Sequence, residues 1–365
     1  MSTKTRVGII GCGNISGIYL KNLPGFANLE VSAVADLDLD RAKAKAEEFG
    51  IANALSVKDM LESDVEVIVN LTIPAAHGEV GLAALEAGKH IYNEKPLSIE
   101  LGDARKMLEL AAKKGLRVGC APDTFLGAGL QTARALLDAG TIGQPVGAHA
   151  MMVSRGPEHW HPDPEFFFKR GAGPLFDMGP YYITALVHLF GPIKRVTANA
   201  RVTHARRTVG SGAKKGQQIT VETPTHIAGV LEFSAGMLAT LTMSFDAVQG
   251  TAPNIEIMGS EGALLVNDPN MFTGALQTRD TSYDWHTIPI SRPYSENARG
   301  LGVADMMRAY AENRPHRASG ELAFHALEVM HGVLTAAQES RFVTIQSQPA
   351  QPAPLGEEET FEVKS

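Results

Sequence analysis

The sequence predicts an α/β domain built on a doubly wound parallel sheet, followed by an α+β domain with a large, mostly antiparallel, open-faced sheet. Three observations predict it. Short β-branched apolar runs alternate with amphipathic helical stretches over roughly residues 1 to 122, the signature of a parallel sheet covered on both faces. Beyond Pro122 the pattern turns to successive strands of period two separated by turns, as in an antiparallel meander. A chain of 365 residues also exceeds what one hydrophobic core usually serves.

In order, "RVGII" is the first strand, with a helix from about Asn14. Then come "VSAVAD" and "LDRAKAKAEEFG", "VEVIVNLTI" and "GEVGLAALEAGK", "HIYNE" and "ARKMLELAAKKG", and finally "RVGCA". These strands are apolar throughout rather than alternating, which places them inside the sheet. The second domain is expected over 123–346. It opens with the helix "GLQTARALLDAG", a strand near Val146 to Val153, a loop rich in His, Pro and Phe, and a helix around Pro174 to Leu189. Residues 194 to 290 read as strands. In "MLATLTMSF", Met237, Ala239, Leu241, Met243 and Phe245 share one face and Leu238, Thr240, Thr242 and Ser244 the other. Helices at about 298 to 313 and 319 to 340 are expected to close this domain. No helix remains to cover the threonine-bearing face, so a second copy is expected there, making a homodimer or homotetramer. The Pro-rich, acidic residues 347–365 are expected to form an extended or mobile tail.

Hydrophobic residues make up 44% and charged residues 20%, the balance of an ordinary globular chain. With 33 Lys and Arg against 40 Asp and Glu, the net charge is -7, which disfavours nucleic acid and anionic membranes as partners and favours a small molecule. Two cysteines, Cys12 and Cys120, are too few for a disulfide framework. The first strand begins at Arg6 with no leader before it, and no run is long enough to span a bilayer. A reducing, cytoplasmic compartment is the expectation.

The chemistry begins at "VGIIGCGNIS". Gly11 and Gly13 follow the first strand and precede a helix, with Asn14 and Ile15 continuing the loop and Ser16 and Gly17 at its close-packing end. The first glycine turns the chain, and the second lets a pyrophosphate approach the backbone. Asp36 ends the second strand, where a carboxylate accepts from a ribose 2′-hydroxyl. This is the dinucleotide-binding arrangement of a Rossmann fold. Leu37 after Asp36 offers no cation for a 2′-phosphate, so NAD is expected over NADP, with Arg41 the residue that would reverse the preference. "VNLTIPAAH" places Asn70, Thr72, Pro74 and His77 at the C-terminal edge of the next strand, the side where ligands bind in open α/β sheets. Pro74 and His77 are candidates for the nicotinamide end. His77 reads equally well as a helix-start residue with a packing role.

"GCGNIS", Asp36, "TIPAAH", "NEKPLS" and "GPLFDMGPYYITALVHLFG", in this order across nearly the whole chain, resemble the Gfo/Idh/MocA oxidoreductases. The resemblance implies that Lys95, in Glu-Lys-Pro, lies beside the nicotinamide and the reacting carbon, and that Glu94 meets a cofactor ribose. A lysine at a strand end is most often a solvated charge. Here Pro96 keeps Lys95 extended and its side chain in a fixed direction, which suits an ammonium that stabilises a developing alkoxide.

The family's common Asp-x-Gly-x-His-x-x-Asp pattern is altered in this chain. Asp177 and Gly179 match, but Tyr181 stands at the histidine position and Thr184 at the last aspartate. Members resembling glucose-fructose oxidoreductase carry tyrosine there, which implies a changed base rather than a lost one. A phenol with an ordinary pKa of about 10 needs a nearby cation to act near neutrality, and Lys95 is the candidate. Asp177, one helical turn before Tyr181, is expected to bind substrate or orient Tyr181, with Tyr182 and His188 in the core. In "GPEHWHPDPEFFFKRGAGP", Trp160 offers a face for a sugar ring, and His159, His161 and Asp163 offer hydrogen bonds. Phe166 to Phe168 read as core. No metal is expected, since His159 and His161 lack supporting ligands nearby.

These residues suggest a dehydrogenase that oxidises a secondary hydroxyl of a sugar, inositol or glycoside. Two alternatives stand beside it. An NAD-dependent glycoside hydrolase of the same fold would carry a Gly-Gly-His-Gly-Gly stretch, where "RGAGPLFD" has no histidine. A non-enzymatic dinucleotide-binding regulator would have no need to keep Lys95.

Overall fold

The computed structural model describes residues 4–248, 250–357 and 359–361. The chain divides into two compact units. The first comprises residues 1–126, 296–327 and 355–365, the second 127–295 and 328–354.

The first unit holds β1 (Thr5–Ile10), α1 (Ser16–Asn22), β2 (Leu29–Ala35), α2 (Leu39–Phe49), β3 (Asn53–Leu55), α3 (Val57–Glu62), β4 (Val67–Asn70), α4 (His77–Glu86), β5 (His90–Asn93), α5 (Leu101–Lys114) and β6 (Val118–Cys120). The sheet order is β3-β2-β1-β4-β5-β6, and every pair runs parallel. Chain direction along the sheet reverses between β1 and β4, and their C-terminal ends open the crevice in which such sheets hold ligands. β4 and β5 are buried along their whole length, as apolar strands covered on both faces must be. Local chemistry sets the helix ends. Asp38 accepts from the amides of Asp40 and Arg41 to start α2, Ser56 accepts from that of Asp59 to start α3, and Gly50 and Gly115 end α2 and α5 in the left-handed region.

Three expectations are corrected here. The sequence reading has five strands in this sheet. The sixth, β3, has only three residues, none of them buried, too short for a periodic signal; the short α3 after it escaped for the same reason. The helix α8 (Leu301–Ala311) and the start of α9 (Gly320–Glu339) belong to the first unit, not the second. Asp123 accepts from the amides of Gly300 and Gly302 at 2.8 and 3.0 Å, and the amide of Cys120 donates to Ala318 O at 3.1 Å. Finally, the tail has no regular structure but is anchored. Leu355 and Phe361 are buried, Phe361 O accepts from the Ala27 amide at 2.7 Å, and Arg317 pairs with Glu359 at 2.8 Å. A Pro-rich, acidic composition hid two apolar anchors.

The second unit contains α6 (Ala128–Asp138), β7 (Pro145–Val153), α7 (Gly173–Phe190), β8 (Ile193–Arg201), β9 (Arg206–Thr208), β10 (Gln218–Thr220), β11 (His226–Phe233), β12 (Leu238–Ser244), β13 (Ile255–Gly259), β14 (Ala263–Val266), β15 (Leu276–Arg279), β16 (His286–Ile288), the end of α9 and β17 (Val343–Thr344). Among the described residues its main sheet has nine strands in the order β16-β15-β14-β13-β7-β12-β11-β8-β17, with β9 and β10 a separate pair. The pairs are antiparallel except β7 with β12 at the centre, because β12 reaches β7 only after the long excursion through α7, β8 and β11. Met237, Ala239, Leu241, Met243 and Phe245 are all buried, and α7 packs against β7, β11 and β12. On the opposite face Leu238 and Val230 stand 51% and 36% exposed in the chain by itself, beside the exposed Thr240.

Burial raises the Asp123 carboxyl from 3.8 to about 6, opposed by the Gly302 amide, the Arg299 charge and the Gly300 amide. The folded protein therefore holds this proton more tightly than the unfolded chain does. The stability linked to Asp123 is complete below pH 3.8 and is lost as pH rises to about 6, a loss of about 3 kcal/mol. Asp123→Asn removes this dependence, so urea unfolding should show its deficit relative to wild type shrinking between pH 4 and 7. A gap that stays constant across that range would contradict the assignment.

Candidate functional site

In the first unit the site begins at Gly11. Its φ is +103°, and a Cβ there would lie 2.6 Å from the carbonyl carbon and oxygen of Leu71, so β1 and β4 meet at a point that only glycine passes. Gly13 differs, since a Cβ there would meet nothing within 4 Å. The loop is thus open on this side, with Gly13 and Asn14 exposed and Ile15 half-buried. Asp36 is buried at the end of β2. Its Oδ2 accepts from the Cys12 amide at 2.8 Å, and its Oδ1 from the Asp38 amide at 3.0 Å and from Arg41 at 3.3 Å. Burial, then the Asp36 charge, pushes the Cys12 thiol up to about 11, which leaves it an inert neighbour. These residues fit a dinucleotide, with Asp36 tied to both the glycine loop and Arg41.

At the ends of β4 and β5 a buried polar network forms. Asn70 Nδ2 donates to Asn93 Oδ1 at 3.0 Å, while Asn70 Oδ1 accepts from the Thr72 amide and hydroxyl at 3.2 and 2.7 Å. Asn93 Nδ2 donates to Leu97 O at 2.8 Å and to His77 O at 3.2 Å. The His77 ring spans the two loops, with Nδ1 2.6 Å from Pro96 O and Nε2 3.1 Å from Thr72 O. Burial lowers its pKa against the pull of those carbonyls. Asn70 and His77 are fully buried, so their side chains brace the turn from within; Thr72 and Pro74 remain half-buried at its edge.

From Ile91 to Ser98 every residue except Lys95 is buried. Glu94 is held from two sides, Oε1 accepting from the Tyr19 hydroxyl at 2.8 Å and Oε2 from the Lys95 amide at 2.9 Å. The sequence reading missed Tyr19 because a tyrosine on the inner face of a helix looks like core. Asn93 carried a usable signal, a polar residue inside an apolar strand.

In the second unit α7 is buried along almost its whole length, yet Asp177 and Met178 are half-buried. Asp177 and Tyr181 lie one turn apart on one face. Tyr182 is core, with its hydroxyl accepting from Asn254 at 2.7 Å. His188 is also core, 3.2 Å from Gln131. The loop before α7 is anchored by charges that the sequence did not single out. Arg207 donates to Glu158 at 2.6 Å and to Phe245 O at 3.2 Å and pairs with Asp246, which accepts from Thr225 at 2.8 Å. Arg207, Glu158 and Asp246 are all nearly buried. Such a group tolerates loss of one partner poorly, because the others remain charged and desolvated, at a cost of about 3–5 kcal/mol. Gly156 shapes the turn, with φ +97° and a Cβ position that would collide with the Glu158 carboxylate. His159 and Trp160 are exposed and His161 half-buried. Of the three phenylalanines read as core, only Phe168 is; Phe167 is half-buried and Phe166 is 50% exposed, which corrects that reading. Among the described residues no group of three or more His, Cys, Asp or Glu gathers as a metal site, and no helix is long and apolar enough to cross a membrane.

A six-stranded parallel sheet with a glycine loop at its reversal point and an acidic second strand end is the arrangement by which a Rossmann fold binds a dinucleotide. The chain belongs to the GFO/IDH/MocA family. Its residues 5–121 match the oxidoreductase family, NAD-binding Rossmann fold, and residues 130–265 match the GFO/IDH/MocA C-terminal domain. It is 26% identical over 267 residues to myo-inositol 2-dehydrogenase of Thermotoga maritima, covering 72% of this chain and 75% of that one. Over 267 residues it is 30% identical to dTDP-3,4-didehydro-2,6-dideoxy-alpha-D-glucose 3-reductase of Streptomyces violaceoruber, covering 72% of each. Among solved structures, levoglucosan dehydrogenase in complex with NADH and L-sorbose superposes with a TM-score of 0.80 at 20% identity, covering 94% of this chain and 99% of that one. That last likeness is one of fold.

The Asp36–Arg41 pair sets a prediction for cofactor choice. Asp36→Ala removes the carboxylate that opposes a 2′-phosphate and releases Arg41 to meet one, so NAD binding should weaken and the preference for NAD over NADP should fall by about tenfold or more. Cofactor titrations by NAD(P)H fluorescence measure both. A variant with unchanged preference would remove Asp36 from the site.

Proposed function

We propose that the protein oxidises a secondary hydroxyl of a sugar, inositol or glycoside to the ketone or lactone, or runs the reverse reduction, with NAD in preference to NADP. The observation that carries this reading is Lys95, the one side chain of its segment that is not buried, on a turn fixed by Asn93 and His77. Gly11, Gly13, Asn14, Ile15 and Asp36 hold the adenosine half and pyrophosphate. Thr72, Pro74 and Glu94 border the other half, and Asn70 and His77 act by bracing that border. Bound NAD supplies the acceptor for the hydride that leaves the carbinol carbon with its electron pair. Tyr181 takes the hydroxyl proton as the carbonyl forms. Lys95 stabilises the oxygen's negative charge and favours the ionised phenol. Asp177 orients the substrate or Tyr181, and His159, Trp160 and His161 contact the substrate. The sugar and polyol enzymes among the relatives support this substrate class.

Incubation with NAD and a panel of polyols and glycosides should yield NADH. Lys95→Ala should retain NAD binding, since the glycine loop and Asp36 are untouched, yet lose roughly 10² or more in kcat/KM. Wild-type turnover in this variant would end the assignment.

We also propose that a second copy covers the open face of the second sheet, as a homodimer or homotetramer. Leu238 and Val230 are exposed there, and the His149 ring lies 2.7 Å from the Thr240 hydroxyl. Sedimentation should show a dimer or tetramer that Thr240→Arg dissociates. A wild-type monomer at micromolar concentration would refute it.

A further inference from the structure

The feature that carries furthest is an aromatic surface in the second unit. Trp160 is 66% exposed and Phe166 50%. His161 lies 5.4 Å from Trp160, from Phe166 and from Phe167, and Phe166 and Phe167 stack at 4.1 Å. Phe167 meets the buried Phe245 edge-on at 6.4 Å. The four rings thus form one continuous face rooted in the core. A loop whose only task was to cover its own unit would turn its largest rings inward, as Phe168 is turned. Trp160 and Phe166 point outward, and the turn beneath them is fixed by buried Arg207, Glu158 and Asp246. The Gly210 amide also ties it down, donating to Glu158 O at 2.7 Å. Polar groups edge the face: His159 is exposed, and Asp163 pairs with Lys214 at 2.8 Å. An apolar floor with a polar edge matches a ring that has a C–H or aryl face and hydroxyls at its rim. The turn at Glu165–Phe168 packs on α7, which carries Asp177 and Tyr181.

We infer that Trp160, with His161, Phe166 and Phe167, forms a subsite for a second ring. The substrate is then a glycoside carrying a sugar or aryl ring beyond the one oxidised, not a free monosaccharide. This inference rests on the proposed oxidation of a sugar hydroxyl. Its recognition step is measurable without turnover.

The chain has two tryptophans, Trp160 and Trp285, so Trp285→Phe leaves Trp160 as the sole indole reporter. In that background, with NAD present, matched methyl and phenyl β-glycosides of glucose, galactose and xylose are titrated against Trp160 emission. The phenyl member of at least one pair should bind about tenfold tighter than its methyl partner. Phe166→Ala should shrink that gap, and on turnover Trp160→Ala should depress kcat/KM for the phenyl member about tenfold more than for the methyl, with Trp160→Phe restoring much of the difference. Equal affinities within every pair, or loss of the gap together with a change in sedimentation that marks the rings as a subunit contact, would overturn the inference. A phenyl preference in binding without oxidation of any glycoside would keep the subsite and refute the proposed reaction instead.

Discussion

Saturation of hydrogen bonds at the ends of β4 and β5 is the constraint on which the first unit depends. Asn70 and Asn93 sit on adjacent strand ends where the sheet ladder stops and backbone groups lose their partners. Buried polar groups without partners are costly, and these two side chains supply them, Asn70 to Thr72 and Asn93 to Leu97 and His77. His77 adds the third link, from the Thr72 loop to Pro96. With its neighbours buried, the segment around Lys95 has little freedom to repack. In the proposed reaction, preorganisation of that kind would add to the charge that Lys95 brings.

The second unit solves a related problem with charge. Holding Arg207, Glu158 and Asp246 out of water is expensive, and an apolar substitute of similar volume would often serve stability as well. What the ion pairs provide is direction. They hold the turn after Gly156 in one conformation and so decide which rings face outward. Rigid support beneath an exposed surface lowers the ordering entropy that a ligand must otherwise offset.

Fold class was legible because it follows from repeated, local signals: apolar strands for the parallel sheet, and period two in "MLATLTMSF", whose inner face is buried as its alternation implies. Gly11 was legible for a steric reason, since its positive φ and contact with Leu71 admit no side chain. What escaped was short or non-local. β3 has too few residues to show a period. The partnership of Asp123 with Gly300 and Gly302 spans more than 170 residues, so nothing near α8 announces its unit. Tyr19 and Arg207 act through partners 75 and 49 residues away, and in sequence each looks like an ordinary core or surface residue. Phe166 misled because a run of three phenylalanines suggests interior, whereas the turn that holds them can bury only the last.

The first unit is assembled from three separated stretches of chain, the last of which carries the buried Phe361. Chains grow from the N-terminus, so β1 to β6 are synthesised well before α8 and the segment around Phe361 exist. During that interval the hydrophobic surface later covered by α8 and Phe361 is bare, and the carboxylate of Asp123 has no helix to cap. The second unit, most of which is one continuous stretch, has nearly all of its sheet in hand earlier. Completion of the nucleotide-binding half therefore waits for residues 296–327 and the segment around Phe361, and until they emerge its uncovered apolar surface is open to non-native contacts.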